Sequence, residues 1–339
     1  MMMSEATNHV AVSTRVRLAR NLEGRPFPAR TLRRQDAEDV VLSVRKALMK
    51  AGEYSFYKMS DISPVEAECL LEKHLVSPDL TENKVSGAAM ISADESVSIM
   101  INEEDHIRQQ AFAKGFALDE AYKKIDRIDD VLSRNLKFSF DSELGYLTAC
   151  PTNLGTGLRA SVMLFLPALT TCNAMKDIIR EVSRLGLTVR GAMGEGTSAE
   201  GYLYQLSNEV TLGATEARIL QSVEDATVKI CEAEMRTRRI NYERAPLLVK
   251  DRCYRAYGIL TNCALLNTQE FLKHLADVKI GVSLGIFQER EKGGLDDLSI
   301  RVKPACLNAL AQKDLTETER DGYRAEYVKK MIKNLIITE

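Results

Sequence analysis

Residues 150–160 read CPTNLGTGLRA: a cysteine at an expected strand end, then Asn153, Gly155 and Gly157 in a tight loop, then Arg159. Glycine permits the left-handed turns and close backbone approaches that such a loop demands. An arginine just beyond it suits a bound phosphate. Most lone intracellular cysteines are inert and buried, but this loop sets Cys150 apart. Arginines nearby favour a thiolate, which can pair with a guanidinium without forming a covalent bond. The other six cysteines lack such a setting and read as structural.

Two further segments supply what this loop lacks. Residues 13–20, STRVRLAR, alternate in a way that fits a strand with Arg15 and Arg17 on one face. From Ser13 to Arg34 there are seven arginines and one acid, Glu23, which points to bidentate phosphate recognition. Residues 102–108, NEEDHIR, bring Glu103, Glu104 and Asp105 to a strand end beside Arg108. Arg15, Arg17, Arg108, Arg159 and Arg190 all fall at expected strand ends or loops. Converging there, they neutralise nucleotide phosphates and the charge on a phosphoryl group in transit. A guanidinium, with a pKa of roughly 12.5–13.8, is a poor nucleophile until it is held and loses a proton. Carboxylates do both. Glu195, in the glycine-rich run 190–196, is placed to close over a substrate as a second carboxylate. His106 reads as a structural hydrogen-bonding residue. The loose fingerprint at Gly194, Gly196 and Ala199 is no dinucleotide site, because Glu195 within it repels a pyrophosphate. No phosphate-binding P-loop, HExxH or zinc-site spacing occurs.

The 339 residues suffice for one large or two ordinary domains, and 45% hydrophobic with 28% charged residues is a globular composition. A formal net charge of −2 implies no general affinity for nucleic acid or anionic membrane. Scattered cysteines without a CxxC fit reduced thiols in a cytosol. Neither a secretory leader nor a run long enough to span a membrane is evident. Helices are expected over 36–50, 63–74 and 118–136, the second opened by Ser63-Pro64 with Glu66. Two short strands are expected within 87–101, around 93–95, and others over 144–149, 187–191 and 202–207. A long helix over 216–239 and further helices over 245–258, 268–277 and 316–335 complete the pattern. The chain is thus mixed α/β to a boundary near 243 and mostly helical over 244–339.

These segments, in this order, resemble the guanidino (phosphagen) kinase family over about residues 10–240. The resemblance implies an α+β catalytic domain, an antiparallel sheet flanked by helices, with ATP and Mg2+ at its site. It implies that Arg15, Arg17, Arg108, Arg159 and Arg190 bind ATP phosphates, that Glu104 is the base assisted by Glu195, and that Cys150 faces the guanidinium. The usual family member carries a helical domain ahead of its STRVR-type segment. Here about a dozen residues precede Ser13, and a helical extension follows instead. This layout resembles the bacterial protein arginine kinases (McsB type). In that branch an RDxxRA sequence, here Arg320, Asp321 and Arg324, helps to form an allosteric phosphoarginine pocket. On a helix, positions 320 and 324 share a face.

The expected activity is therefore transfer of the γ-phosphoryl group of MgATP to arginine side chains of proteins. The alternatives are a kinase for free arginine or another guanidino metabolite, and a non-catalytic phosphoarginine-binding adaptor. Expected partners, all implied by the resemblance, are a zinc-binding activator (McsA type), a heat-shock repressor and a Clp ATPase that takes marked proteins in the stress response. Self-association as a homodimer is expected from surplus apolar positions in the extension, with Tyr323, Tyr327, Met331 and Leu335 as its candidate face.

Overall fold

Strand β1, Ala11–Arg20, runs through the middle of the molecule, preceded by a short helix α1, Glu5–Val10. The computed structural model describes residues 5–49, 52–191 and 200–338. After β1 come α2 (Arg34–Leu48), β2 (Tyr54–Lys58), α3 (Pro64–Glu72), α4 (Pro78–Glu82), β3 (Ala88–Ser92), β4 (Val97–Ile101), β5 (Ile107–Lys114) and α5 (Leu118–Asn135). A small ribbon, β6 (Phe140–Asp141) and β7 (Gly145–Tyr146), leads to β8 (Leu158–Phe165), α6 (Pro167–Thr171), α7 (Met175–Ser183), β9 (Leu187–Gly191), β10 (Leu203–Asn208) and α8 (Glu216–Arg244). Residues 246–337 hold α9 (Pro246–Asn262), α10 (Thr268–Ser283), β11 (Gln288–Glu289), α11 (Gly294–Arg301), α12 (Pro304–Ala311), α13 (Glu317–Leu335) and β12 (Ile336–Ile337).

Eight strands form one antiparallel sheet in the order β2-β3-β4-β5-β1-β8-β10-β9. Because side chains alternate along each strand, the sheet has two distinct faces. One face is mostly apolar: Val16, Leu18, Ala111, Ala160, Val162 and Leu206 are buried against Ile125 of α5 and Val223 of α8. Toward β2 the same face is covered by α2 through Val40, Val44 and Leu48. The opposite face is apolar near its β2 edge, where Ala89, Ile91 and Met100 meet Leu70 of α3 and Leu80 of α4, and at Phe165 and Leu203, which pack on the helical segment. Its remainder is polar and forms the candidate site.

Several ends follow from local chemistry. Ser63 Oγ accepts a bond from Glu66 N, and Pro64 opens α3. Thr316 and Glu319 make a reciprocal capping box on α13. The expected strand over 144–149 shrinks to the two residues of β7, because Asn21 Nδ2 takes Leu147 O and Asp105 takes Ala149 N away from any ladder. The short helices α1, α4, α6, α7, α11 and α12 have no counterpart among the expected elements.

The chain breaks at Ala245, between α8 and α9. The helical segment beyond it has its own core, with Phe271, Leu275, Val328 and Ile332 at its centre. That core also takes in Phe165 and Leu203 from the sheet and Val12 from β1, so the two parts pack together. Tyr323, Tyr327 and Met331 pack onto this internal core and Leu335 is buried in it. Much of the face named for self-association is thus taken up by packing within the chain, while Tyr323, Tyr327 and Met331 stay partly exposed.

Candidate active site

Residues directly opposed on neighbouring strands project to the same face. The register sets Arg15 opposite Ser161, Arg17 opposite Arg159 and Gln110, and Ala19 opposite Arg108. On β10, Gln205 lies opposite both Met163 of β8 and Arg190 of β9. One face of the sheet therefore gathers Arg15, Arg17, Arg108, Arg159 and Arg190 from four strands. This cluster is electrostatically unfavourable on its own. Burial, then Arg108 and Arg159, push the Arg15 guanidinium down to about 10. Burial and the neighbouring arginines lower Arg17 further, and burial with Arg190 and Arg108 lowers Arg159.

One carboxylate offsets part of the charge: Arg108 Nη1 donates to Glu103 Oε1 at 2.6 Å. The neutral amide of Gln205 accepts from Arg15 Nη2 at 2.7 Å. Nε of Arg17 and Nε of Arg159 are buried with no acceptor in the protein. Buried donors without partners are costly, and several forked cations converging on one surface suit phosphate oxygens. The residues present thus fit a polyphosphate.

The three acids of the 102–106 turn have separate tasks. Asn102 enters the turn at φ 58, a conformation asparagine tolerates, and its amide bonds Ala37 O and Ser86 O. Glu103 is buried and held by Arg108 and by Ser77 Oγ at 2.5 Å. Burial alone would raise its carboxyl, but Arg108 and these hydrogen bonds lower it. Asp105 is also buried and accepts from Asn21 Nδ2 and from Ala149 N. Glu104 alone keeps a half-exposed carboxylate. Burial, then Asp105 and Glu103, raise its pKa, the direction a general base at neutral pH needs. His106 is fully buried, with Nδ1 accepting from Leu22 N and Nε2 bonded to Pro26 O.

Asp105 links the two segments: it follows Glu104 in the chain and accepts from the amide of Ala149, which precedes Cys150. Cys150 lies in a short turn before residues 151–153, not at a strand end, with Sγ 3.0 Å from Thr152 Oγ1. It is half-buried and close enough to act electrostatically on Arg159. The loop beyond it needs its glycines. A Cβ on Gly155 would lie 2.6 Å from Thr211 O, and one on Gly157 2.6 Å from Ala19 O, both at positive φ. Glu195 lies outside the described residues.

No sequence motif marks Gln205, Ser77 or Asn21. Gln205 was within reach, since the apolar alternation of Tyr204 and Leu206 leaves it on the opposite face. Arg20, part of the same arginine run, is a structural pin: buried, it binds Asp129 at 2.9 Å and Thr156 O, with its guanidinium over the Tyr146 ring. Far from the sheet cluster, Arg324 is 1% exposed and donates to Val302 O, Leu266 O and Asp321. Arg320 is only partly buried, and its Nε has no acceptor.

Comparison with known proteins agrees with this geometry. Residues 37–237 match the family described as ATP:guanido phosphotransferase, C-terminal catalytic domain. Residues 246–338 match the protein-arginine kinase McsB C-terminal domain. A protein-arginine kinase of Caldanaerobacter subterraneus subsp. tengcongensis is 40% identical over 96% of this chain and 98% of its own length. That of Halothermothrix orenii is 42% identical over 94% and 92%. Among solved structures, the substrate-free duplicated taurocyamine kinase of Schistosoma mansoni superposes with TM-score 0.60 at 30% identity, covering 69% of this chain and 35% of that one. A lombricine kinase gives 0.59 at 28%, covering 67% and 66%.

Proposed function

This chain belongs to the ATP:guanido phosphotransferase family, and from that membership we propose that it transfers the γ-phosphoryl group of ATP to arginine side chains of proteins. The observation that carries the chemistry is the five-arginine face with Glu104 at its margin. The choice of protein as acceptor rests on near-full-length similarity to protein-arginine kinases, helical segment included.

In this reading the arginines bind the phosphates of ATP, and Arg17 and Arg159 give their free Nε donors to phosphate oxygens. Glu103 acts on Arg108, keeping its fork in place. Glu104 binds the incoming guanidinium and accepts one proton from it as the nitrogen attacks the γ-phosphorus. The bond to the β–γ bridging oxygen breaks and ADP leaves with that electron pair. Cys150 pairs with the guanidinium and keeps it aimed. A divalent ion, which we take to be Mg2+, neutralises phosphate charge when bound. Among the described residues no group of three or more His, Cys, Asp or Glu is placed to hold a metal, so the phosphates themselves would carry it.

We further place the protein in the cytoplasm as a homodimer, working with a zinc-binding activator, a heat-shock repressor and a Clp ATPase in the stress response. Arg320 and Asp321 would offer the phosphoarginine contact, with Arg324 supporting them from within. No helix among the described residues is long and apolar enough to cross a membrane.

The test is incubation with MgATP and an unstructured arginine-containing protein, with free arginine in parallel, read by mass spectrometry under non-acidic conditions. Phosphoarginine on the protein alone is expected. Phosphorylated free arginine in preference to protein would move the activity to a small guanidino substrate.

A further inference from the structure

Outside the candidate site, two cysteines that are 237 residues apart in sequence meet across the two parts of the molecule. Sγ of Cys69 on α3 lies 3.3 Å from Sγ of Cys306 on α12. The contact is built by neighbouring groups. Cys69, Glu72 and Lys73 share one side of α3. The Glu72 carboxylate caps the first turn of α12, accepting from Ala305 N at 3.0 Å and Cys306 N at 2.8 Å. Lys303 Nζ reaches back to Glu72 O at 3.0 Å. This clasp delivers Cys306 onto Cys69. A cavity of about 480 Å3 opens beside the pair, lined among others by Tyr57, Cys69, Lys73, Glu95 and Lys313. Cys69 is half-buried at its wall, whereas Cys306 is buried behind it.

We propose that Cys69 and Cys306 form a reversible disulfide, a peroxide-sensitive latch between the catalytic and helical parts. A disulfide has sulfurs about 2.05 Å apart, so closure needs an approach of little more than 1 Å, within reach of side-chain rotation. The two thiols have different roles. Cys306 hydrogen-bonds the Cys69 sulfur, which, with Lys73 nearby, lowers the Cys69 thiol, while that bond and burial raise Cys306. Cys69 is thus the attacking sulfur and Cys306 the resolving one.

Hydrogen peroxide entering the cavity takes the Cys69 thiolate to a sulfenic acid, the O–O bond breaking and one oxygen leaving as water. The Cys306 sulfur then attacks the sulfenic sulfur, and the hydroxyl leaves as a second water. Overall two thiols lose two electrons and two protons, and one peroxide becomes two waters. A dithiol reductant reverses the link by exchange. The latch ties down α3, after which Ser77 holds Glu103 and, through it, Arg108.

The full-length protein, reduced and then treated with hydrogen peroxide, is alkylated and mapped by mass spectrometry without reduction. The expected result is a linked peptide pair containing Cys69 and Cys306, absent after dithiothreitol. Oxidised protein should also melt at a higher temperature than reduced protein, and Cys69→Ser should abolish that rise. Cys306→Ser should instead leave a Cys69 sulfenic acid that dimedone traps. Separate alkylation of both cysteines under peroxide that oxidises Cys150 would overturn the proposal, as would a link with no rise in melting temperature. The mapping does not depend on the phosphotransfer reading.

Discussion

At Glu104 three effects act in one direction. Burial, Asp105 and Glu103 all disfavour the ionised carboxylate, so its pKa lies above the ordinary 4.5. Catalysis needs the ionised form, so kcat/KM should fall as pH drops through that raised value. Glu104→Gln should lose this acid limb and reduce kcat by about 10²–10⁴-fold with melting temperature unchanged. A full-rate Glu104→Gln protein would remove the assigned base. His106 gives the opposite kind of test, on stability. Burial holds its imidazole down to about 4, against 6.5 for a free one. Below pH 6.5 the unfolded chain takes up a proton that the folded chain refuses. The stabilisation is therefore complete above pH 6.5 and lost as pH falls toward 4, about 3 kcal/mol in all. Thermal melts from pH 7.5 to 5 should show the wild type losing more than His106→Gln; parallel losses would refute it.

The helix scale separates two arginines that the motif treats alike. Arg324 is a bolt inside α13, joining it to the carbonyls of Val302 and Leu266. Arg324→Met strands both carbonyls and should cost about 3 kcal/mol, read as a lower melting temperature. Arg320→Ala removes a partly exposed side chain and should change stability by less than about 0.5 kcal/mol. Arg320→Ala is expected to weaken phosphoarginine binding in calorimetry while the fold stays intact. Equal binding by both proteins would dismiss that site. Local signals served well here where an end is marked, as at Ser63-Pro64 or Thr316-Glu319. They failed for α11 and α12, eight residues each, because such short helices take their stability from packing. For α12, part of its N-terminal cap comes from Glu72, more than two hundred residues earlier.

For the whole molecule the joint between the parts matters most. Phe165 is 1% exposed and belongs to the core of the helical segment, though β8 carries it. Buried Arg238 of α8 bonds Phe165 O at 2.8 Å, and Glu234 of α8 caps α6 through Ala168 N and Leu169 N. A fragment ending at Arg244 uncovers Phe165, Leu203 and Val12. It should bind a hydrophobic dye, aggregate on heating and melt below the full chain. A fragment as stable as the full chain would show the two parts to be independent.

Arginine alternation in 13–20, the acid run at 102–108 and the glycine loop at 155–157 by themselves determined the class of chemistry, and apolar periodicity with cap residues determined the longer helices. Their residue types and spacing act locally, through strand pleat, turn geometry and charge. Tertiary structure alone decided which acid was left accessible, since Glu103 is taken by Arg108 and Ser77, and Asp105 by Asn21 and Ala149. It also decided that Gln205, which accepts from Arg15, stands opposite Arg190, that Arg20 and Arg324 are buried in bonds within the protein, and that Cys69 meets Cys306. Each of these depends on strand register or helix packing between distant segments, and such contacts leave no periodic trace in the chain that makes them.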